Sequence, residues 1–253
     1  VSAATTSSRS LALQRGILGA VLLVIAWEGL ARGLHLPAYV LPAVSDILAG
    51  IWFKRMPLGE AAGYTLIEAL LGFGLGCFIG IGVAVLITLL PPLRAVLLPV
   101  ATAINSVPVV GYSPLILLWL GIGVASKVAM VAMTVSFTVL LSTLAGLDRV
   151  DRRSVDLMRS FGAGRLGILW RLRLPTALPL MLSGMRVSTV RSVIVAIITE
   201  MLGAYGGLGW VIYQAVLQID FVQVWSAILV ASAASLAFFG LIGLLERRIV
   251  FWK

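Results

Sequence analysis

Charge is what this chain of 253 residues has least of. Nineteen Lys and Arg and ten Asp and Glu make up 11% of it, against about a quarter in soluble domains. So few charges cannot cover a water-exposed globule of this size, which excludes an ordinary soluble enzyme and a disordered chain. Cysteine is nearly absent too. The single Cys77 lies in an apolar run and has no partner for a disulfide, which excludes a disulfide-stapled secreted domain. The lone His35 cannot form a His-x-x-x-His metal pair, and Cys77 has no companion ligand nearby. Also missing are a Gly-x-Ser-x-Gly elbow and a Gly-x-x-x-x-Gly-Lys-Ser/Thr phosphate loop. The nearest look-alike to the latter, Gly121 to Lys127, lacks the second glycine before the lysine and reads as a tight turn between two spans. A Ser–Lys arrangement using Lys127 stays open as an enzyme reading, with nothing in the sequence that requires it.

What the chain has in excess is apolar length. Hydrophobic residues make up 60%, with a mean hydropathy of +1.10, and six stretches approach the roughly 20 residues that cross a bilayer. They run from Gly16 to Leu34, Leu66 to Leu90, Val96 to Trp119, Val124 to Leu147, Leu178 to Leu202 and Val224 to Leu245. The expected fold is an all-α integral membrane protein with a single domain over residues 1–253. The first stretch runs into Trp27-Glu28 rather than a small-residue cleavage site, so it reads as a span and not a signal peptide. The third carries Pro99, Pro108 and Pro114 around Asn105. It should be kinked or broken, which a membrane tolerates only against protein or a wet cavity.

The net charge of +9 has a membrane explanation that needs no nucleic acid. With the N-terminal segment 1–15 inside, thirteen Lys and Arg fall on the cytoplasmic side, including seven arginines in the loop 148–177. Four (Arg32, Lys54, Arg55 and Lys127) fall on the other. That asymmetry places both termini in the cytoplasm. Within the spans, Gly72, Gly76 and Gly80 form an i, i+4, i+8 line that lets another helix approach closely; a groove lining a pathway is the alternative.

Ionisable groups inside spans cost about 2.5–3.5 kcal/mol near the centre, so each needs a reason. Glu28 and Arg186 lie near span ends, where they snorkel or bond across subunits. Arg191 lies near mid-membrane beside the polar Ser188, Thr189 and Ser192. Glu200 is nine residues further on, about 13 Å along a helix. Asn105, Ser188, Arg191, Ser192 and Glu200 are the candidate pathway residues. Glu68, which can approach Glu200 or Lys127, makes with Lys127 a candidate buried ion pair.

The loop 148–177 carries the main functional signal. Ser154 can cap a short helix through Met158 and Phe161, and Gly162 can end it in a left-handed turn. A second helix is expected through Leu166, Ile168, Leu169 and Leu172, stopped by Pro175 and Pro179. A solvated loop has no use for Met158, Phe161 and Trp170; a docking element for a soluble partner, or a membrane-surface helix, does.

Ser160-Phe161-Gly162-Ala163, then Leu174-Pro175 and Leu178-Pro179, resemble the coupling-helix signature of ABC importer permeases. Asp156-Leu157-Met158 stands where that family opens on Glu-Ala-Ala. Leu41 to Leu48, Ser106-Val107-Pro108, Ser113 to Gly123, Thr199-Glu200-Met201 with Gly207-Leu208-Gly209, and Leu245 to Arg248 with Trp252 extend the resemblance over nearly the whole chain. They narrow it to the nitrate, sulfonate, taurine and bicarbonate group. Thr199 and Val193 depart from that group's usual Ala and Trp. The resemblance implies a permease subunit, not itself an enzyme, in a bacterial inner membrane. It implies a homodimer, with two ATP-binding subunits seated on Asp156, Leu157, Met158, Arg159, Ser160, Phe161, Gly162 and Ala163. ATP and Mg would be bound by those subunits and not by this chain. An external solute-binding protein would deliver a small anionic solute. The alternative is a passive channel or secondary carrier, which the seven-arginine loop and the lack of an internal repeat disfavour.

Overall fold

In a computed structural model of the chain, residues 2–250 are described, with side chains from residue 14 onward. The side chain of Arg9, and residues Trp252 and Lys253, used above in the charge count and the motif, lie outside the described residues. Eleven helices are described: α1 (Ser2–Gly33), α2 (Val44–Phe53), α3 (Arg55–Leu89), α4 (Arg94–Ser106), α5 (Val109–Leu120), α6 (Val124–Asp148), α7 (Arg152–Ser160), α8 (Arg165–Ile168), α9 (Leu174–Leu202), α10 (Leu208–Leu217) and α11 (Phe221–Ile249). A π-helical turn, Leu169–Arg173, joins α8 to α9 without interruption. No strand is present among the described residues.

Five segments are long and apolar enough to cross a membrane: Gln14–Gly33 in α1, then α3, α6, the run Arg165–Leu202, and α11. The sixth expected span is a pair, Pro91–Ser106 and Val109–Leu120, bent by 96°. Of its three prolines only Pro108 makes the break. Pro99 and Pro114 lie inside α4 and α5, whereas Val107 is extended (φ −80°, ψ 124°) as the residue before Pro108. Two expected stops fail. Pro175 sits in the first turn of α9 and Pro179 inside it, so the second helix of the loop continues directly into the span. The helix α3 begins eleven residues earlier than the hydropathy suggested. At 35 residues it is about 52 Å long, so it reaches beyond a bilayer core of roughly 30 Å.

The bundle is built on α6, which packs against α3 on one side and α9 on the other. The glycine line of α3 makes the first seam. A Cβ on Gly72 would lie 2.5 Å from the Cβ of Val131, on Gly76 2.7 Å from that of Val135, and on Gly80 2.5 Å from the carbonyl of Ser136. Glycines make the second seam too: Gly146 meets Ala177, and Gly184 meets Ser142. Phe73 and Phe238 close the core edge-to-face at 5.2 Å, with Met130, Val131, Val135 and Val193 buried around them.

The peripheral pieces hang on this unit. Near the end of α1, Trp27 donates to the carbonyl of Pro42 at 3.0 Å and packs edge-on against Trp225. Glu28 bonds to Arg32 at 2.6 Å and to Ser45. Arg186 lies 3.6 Å from Glu246 and over the ring of Phe239 on α11. Asp220 caps α11 by accepting from the Gln223 amide at 3.0 Å and pairs with Lys54 at 3.1 Å. Burial by itself would raise its carboxyl, but those two donors outweigh it and hold it below the ordinary value. Whatever stability this cap contributes is therefore present at neutral pH and is lost as pH falls through the lowered value.

Two glycines of α3 separate packing from flexibility. Gly80→Ala must push α6 backbone away and should cost about 1–3 kcal/mol of overpacking. Gly82, six residues from Gly76 and with nothing within 4 Å of its would-be Cβ, should gain up to about 1 kcal/mol as alanine from helix propensity. Thermal unfolding of the purified protein should show opposite shifts for the two variants.

Candidate functional site

The loop that carries the coupling signature folds as a helix–turn–helix at the basic end of the bundle. Its first helix starts at Arg152, two residues before the expected cap. Asp151 is the N-cap and its side chain makes no capping bond, so Ser154 lies inside the helix. At the other end the cap is a Schellman motif. The Gly162 amide donates to the Arg159 carbonyl at 2.9 Å and the Ala163 amide to the Met158 carbonyl at 3.0 Å. Gly162 has φ +81°, and nothing lies within 4 Å of a Cβ built on it. Left-handed backbone, not close approach, is therefore what this position requires. Val155 is buried beneath α7 and Met158 half-buried, while Asp156, Leu157, Arg159, Ser160 and Phe161 face outward. With Phe161 83% and Trp170 68% exposed, the unit presents large apolar side chains among its arginines. Such a face is built to be covered.

The candidate pathway residues are not brought to one place. Asn105, near the end of α4, lines a cavity of about 430 Å³ walled by apolar residues of α3, α4 and α6, among them Ile79, Ile104 and Met133. Ser188 and Ser192 have no exposure. Their hydroxyls donate back to the carbonyls of Gly184 and Thr189 within α9, so they belong to helix packing. Arg191 is exposed on α9, its guanidinium 3.2 Å from the Thr138 hydroxyl. No carboxylate lies within salt-bridge distance of it among the described residues.

Glu200 is fully buried and has a structural task. Its carboxylate accepts the Gly209 amide at 2.6 Å, while the Thr65 hydroxyl accepts the Leu208 amide at 2.8 Å. Together they satisfy the first amides of α10. The glycines of the Gly207-Leu208-Gly209 motif make room for this contact. A Cβ on Gly207 (φ +93°) would fall 2.2 Å from the Glu200 carboxylate, and one on Gly209 2.1 Å from the Ile197 carbonyl. Lys127 is not in a direct ion pair with Glu68. Its ammonium is held by the carbonyls of Ile122 and Gly203, where it ties the turn before α6 to the end of α9. Glu68 lines a cleft of about 400 Å³ with Glu60, Tyr64 and Tyr205, at the end of the bundle opposite α7.

Sequence reasoning missed α10 and its receptor. The signal was present as an acid followed, seven and nine residues later, by glycines flanking Leu208 ahead of an apolar run. If Glu200 is a cap receptor, Glu200→Ala should cost about 1–3 kcal/mol by stranding a buried amide. Glu200→Gln, which keeps the acceptor oxygen and the size, should be much milder. Thermal unfolding separates them, and a Gln variant as unstable as the Ala variant would show that the charge, not the acceptor, matters.

Known proteins with this arrangement bear on what it is for. Residues 72–251 match the family described as binding-protein-dependent transport system inner membrane component. A probable ABC transporter permease protein of Haemophilus influenzae is 30% identical over 234 residues, covering 92% of this chain and 95% of that one. The taurine transport system permease protein TauC of Escherichia coli is 30% identical over 255 residues, covering 97% and 91%. Among solved structures, a bacterial ABC transporter involved in the import of the acidic polysaccharide alginate superposes with a TM-score of 0.66 at 14% identity, covering 97% of this chain and 98% of that one. That likeness shows the fold, which is the type I ABC importer permease fold. The chain belongs to the family of binding-protein-dependent transport system inner membrane components, the permeases of ABC importers.

Proposed function

We propose that this chain forms half of the translocation pathway of an ATP-driven importer. In this reading it pairs with a second copy of itself in a bacterial inner membrane, with both termini and α7 in the cytoplasm. Two ATP-binding subunits seat on the face made by residues Asp156 to Ala163, and an external solute-binding protein delivers the solute. ATP and Mg belong to the partner subunits. The observation that carries the reading is the α7 unit itself: an exposed apolar and basic face, fixed by a glycine cap and continued without a break into a span. When the ATP-binding subunits close, α7 moves with them, and α9 transmits the motion to the opposite end, which is alternating access. A channel or carrier has no use for such a face.

For the solute, the supporting feature is Arg191, an exposed guanidinium well inside α9 without an acidic partner among the described residues. It suits a small anion, and the taurine and sulfonate permeases among the relatives fit that chemistry. Asn105 and Arg191 are the two candidate pathway residues that the fold leaves accessible.

The test of coupling is Gly162→Val. A β-branched residue at φ +81° costs about 1–2 kcal/mol or more and should displace the docking face without touching any neighbour. Uptake and solute-stimulated ATP hydrolysis should fall together at normal abundance in the membrane; unchanged uptake would overturn the assignment of α7. Orientation is tested separately. A cysteine at Ser154 should be labelled only from the cytoplasm and one at Gln214, on α10, only from outside.

A further inference from the structure

At the base of α7, beside the docking face and sharing Arg159 with it, lies a small cavity. It measures about 190 Å³ and is lined by Arg159, Arg165 and Arg173, over a floor that includes Leu89, Ile168 and Leu169. The three guanidiniums come from successive pieces of the helix–turn–helix: α7, the first residue of α8, and the last residue of the π turn. That turn helps to gather them. Residues 165 and 173 would stand about 80° apart around an uninterrupted α-helix. A π turn winds less per residue, and this brings the second arginine back over the same cavity as the first.

The charge of this cavity is unbalanced. Arg159 lies 3.3 Å from Asp156, with both side chains more than 60% exposed, so that pair is weak. Neither Arg165 nor Arg173 has a carboxylate within salt-bridge distance among the described residues. Three cations facing one space repel each other unless an anion joins them. Guanidinium forks suit the oxygens of a phosphate, which they can grip two at a time.

Size and level narrow the ligand. The cavity is smaller than the ~300 Å³ at which pockets begin to enclose whole drug-sized molecules, so it takes a headgroup rather than a solute. It sits where α3 ends at Leu89 and the chain turns through Pro91, the level at which an apolar helix leaves the hydrocarbon. Its leucine and isoleucine floor leads towards the acyl chains, while its arginines face the headgroup region. We propose that Arg159, Arg165 and Arg173 form a phosphate-binding site for the headgroup of an anionic phospholipid of the cytoplasmic leaflet. The leaflet rests on the orientation given under the proposed function; the anion chemistry does not. A lipid held here would brace α7 against the end of α3, so the docking face would be set partly by membrane composition.

The experiment uses the full-length chain, purified in detergent and titrated with phosphatidylglycerol or phosphatidylethanolamine, with bound lipid counted by native mass spectrometry. Wild type should retain phosphatidylglycerol in preference. The double variant Arg165→Gln/Arg173→Gln should lose about thirtyfold in phosphatidylglycerol affinity, from about one kcal/mol per arginine. Arg165→Lys/Arg173→Lys should lose less, and Arg171→Gln, exposed and outside the cavity, should change nothing. The single Arg173→Gln serves if the double variant does not fold, as judged by thermal unfolding. Unchanged phosphatidylglycerol binding in the glutamine variants overturns the site. Equal occupancy by inorganic phosphate would make it a free-phosphate site and overturn the lipid assignment. Normal lipid binding combined with lost docking of the ATP-binding subunit would assign the arginines to that protein contact instead, and overturn it equally. Labelling of a Ser154→Cys variant from outside, with the lipid preference intact, would leave the site standing in the other leaflet and sink the importer reading alone.

Discussion

The close approach of α3 and α9 to α6, allowed by glycine on both sides, is the constraint from which the rest of this structure hangs. Between helices in lipid no hydrophobic force operates, because acyl chains are as apolar as leucine. Contact must come from dispersion and from backbone polar groups brought near each other. Gly72, Gly76 and Gly80 give α3 that approach, Gly146 gives it to α6 and Gly184 to α9. The three helices therefore form one body. The outer pieces pack onto that body: α2 lies against α11, where Ser226 donates to the Ile47 carbonyl, and the bent α4–α5 pair lies against α6, with Tyr112, Ile116 and Leu117 on the core and Arg94 paired with Asp148.

A second constraint governs the helix ends. Helix termini near hydrocarbon have backbone groups that water cannot reach, and the described residues satisfy them by several routes. At the C-termini of α1, α7 and α10 the backbone turns left-handed and closes a Schellman motif, with His35, Gly162 and Ile219 at the turning position. His35 and Ile219 carry a Cβ there, at about 1–2 kcal/mol each. Of these three turns, only that of α7 uses glycine. At the N-terminus of α10 the route is a buried carboxylate and a threonine hydroxyl from other helices.

These two constraints explain what could be read from the sequence. The spans were legible because a 20-residue apolar run has few other uses, and the Gly72–Gly76–Gly80 line was legible because its period is that of a helix face. The break at Pro108 was foreseeable only as one of three. The neighbours of Pro99 and Pro114 keep helical geometry, and nothing local distinguishes them. The roles of Glu200 and Lys127 were illegible for a different reason. Their partners are backbone amides and carbonyls of Gly209, Ile122 and Gly203, which no residue type announces. Ser188 and Ser192 misled because a hydroxyl that bonds its own helix looks, in sequence, like one that faces a pathway. The stops assigned to Pro175 and Pro179 failed because the helix continues through both, and Pro175 closely follows the π turn Leu169–Arg173, where the regular ladder is already interrupted. Pro179 lies further on, inside α9.

That uninterrupted segment sets how the two ends can communicate. From Arg165 to Leu202 the chain runs as one helical rod of 38 residues, about 57 Å at the α-helical rise. It meets α7 through the Gly162 turn at one end, and at the other Glu200 grips α10. A hinge anywhere along it would absorb a displacement applied at α7. The two prolines do not supply one, and the body of the rod is clamped to α6 by Gly146 and Gly184. Compliance is left only at its ends: at Gly162, where backbone strain is least, and at the Gly207-Leu208-Gly209 turn. Under the proposed alternating access, this is where motion has to be permitted. The bundle between must move as a unit, because its glycine seams leave no room for one helix to slide without the other.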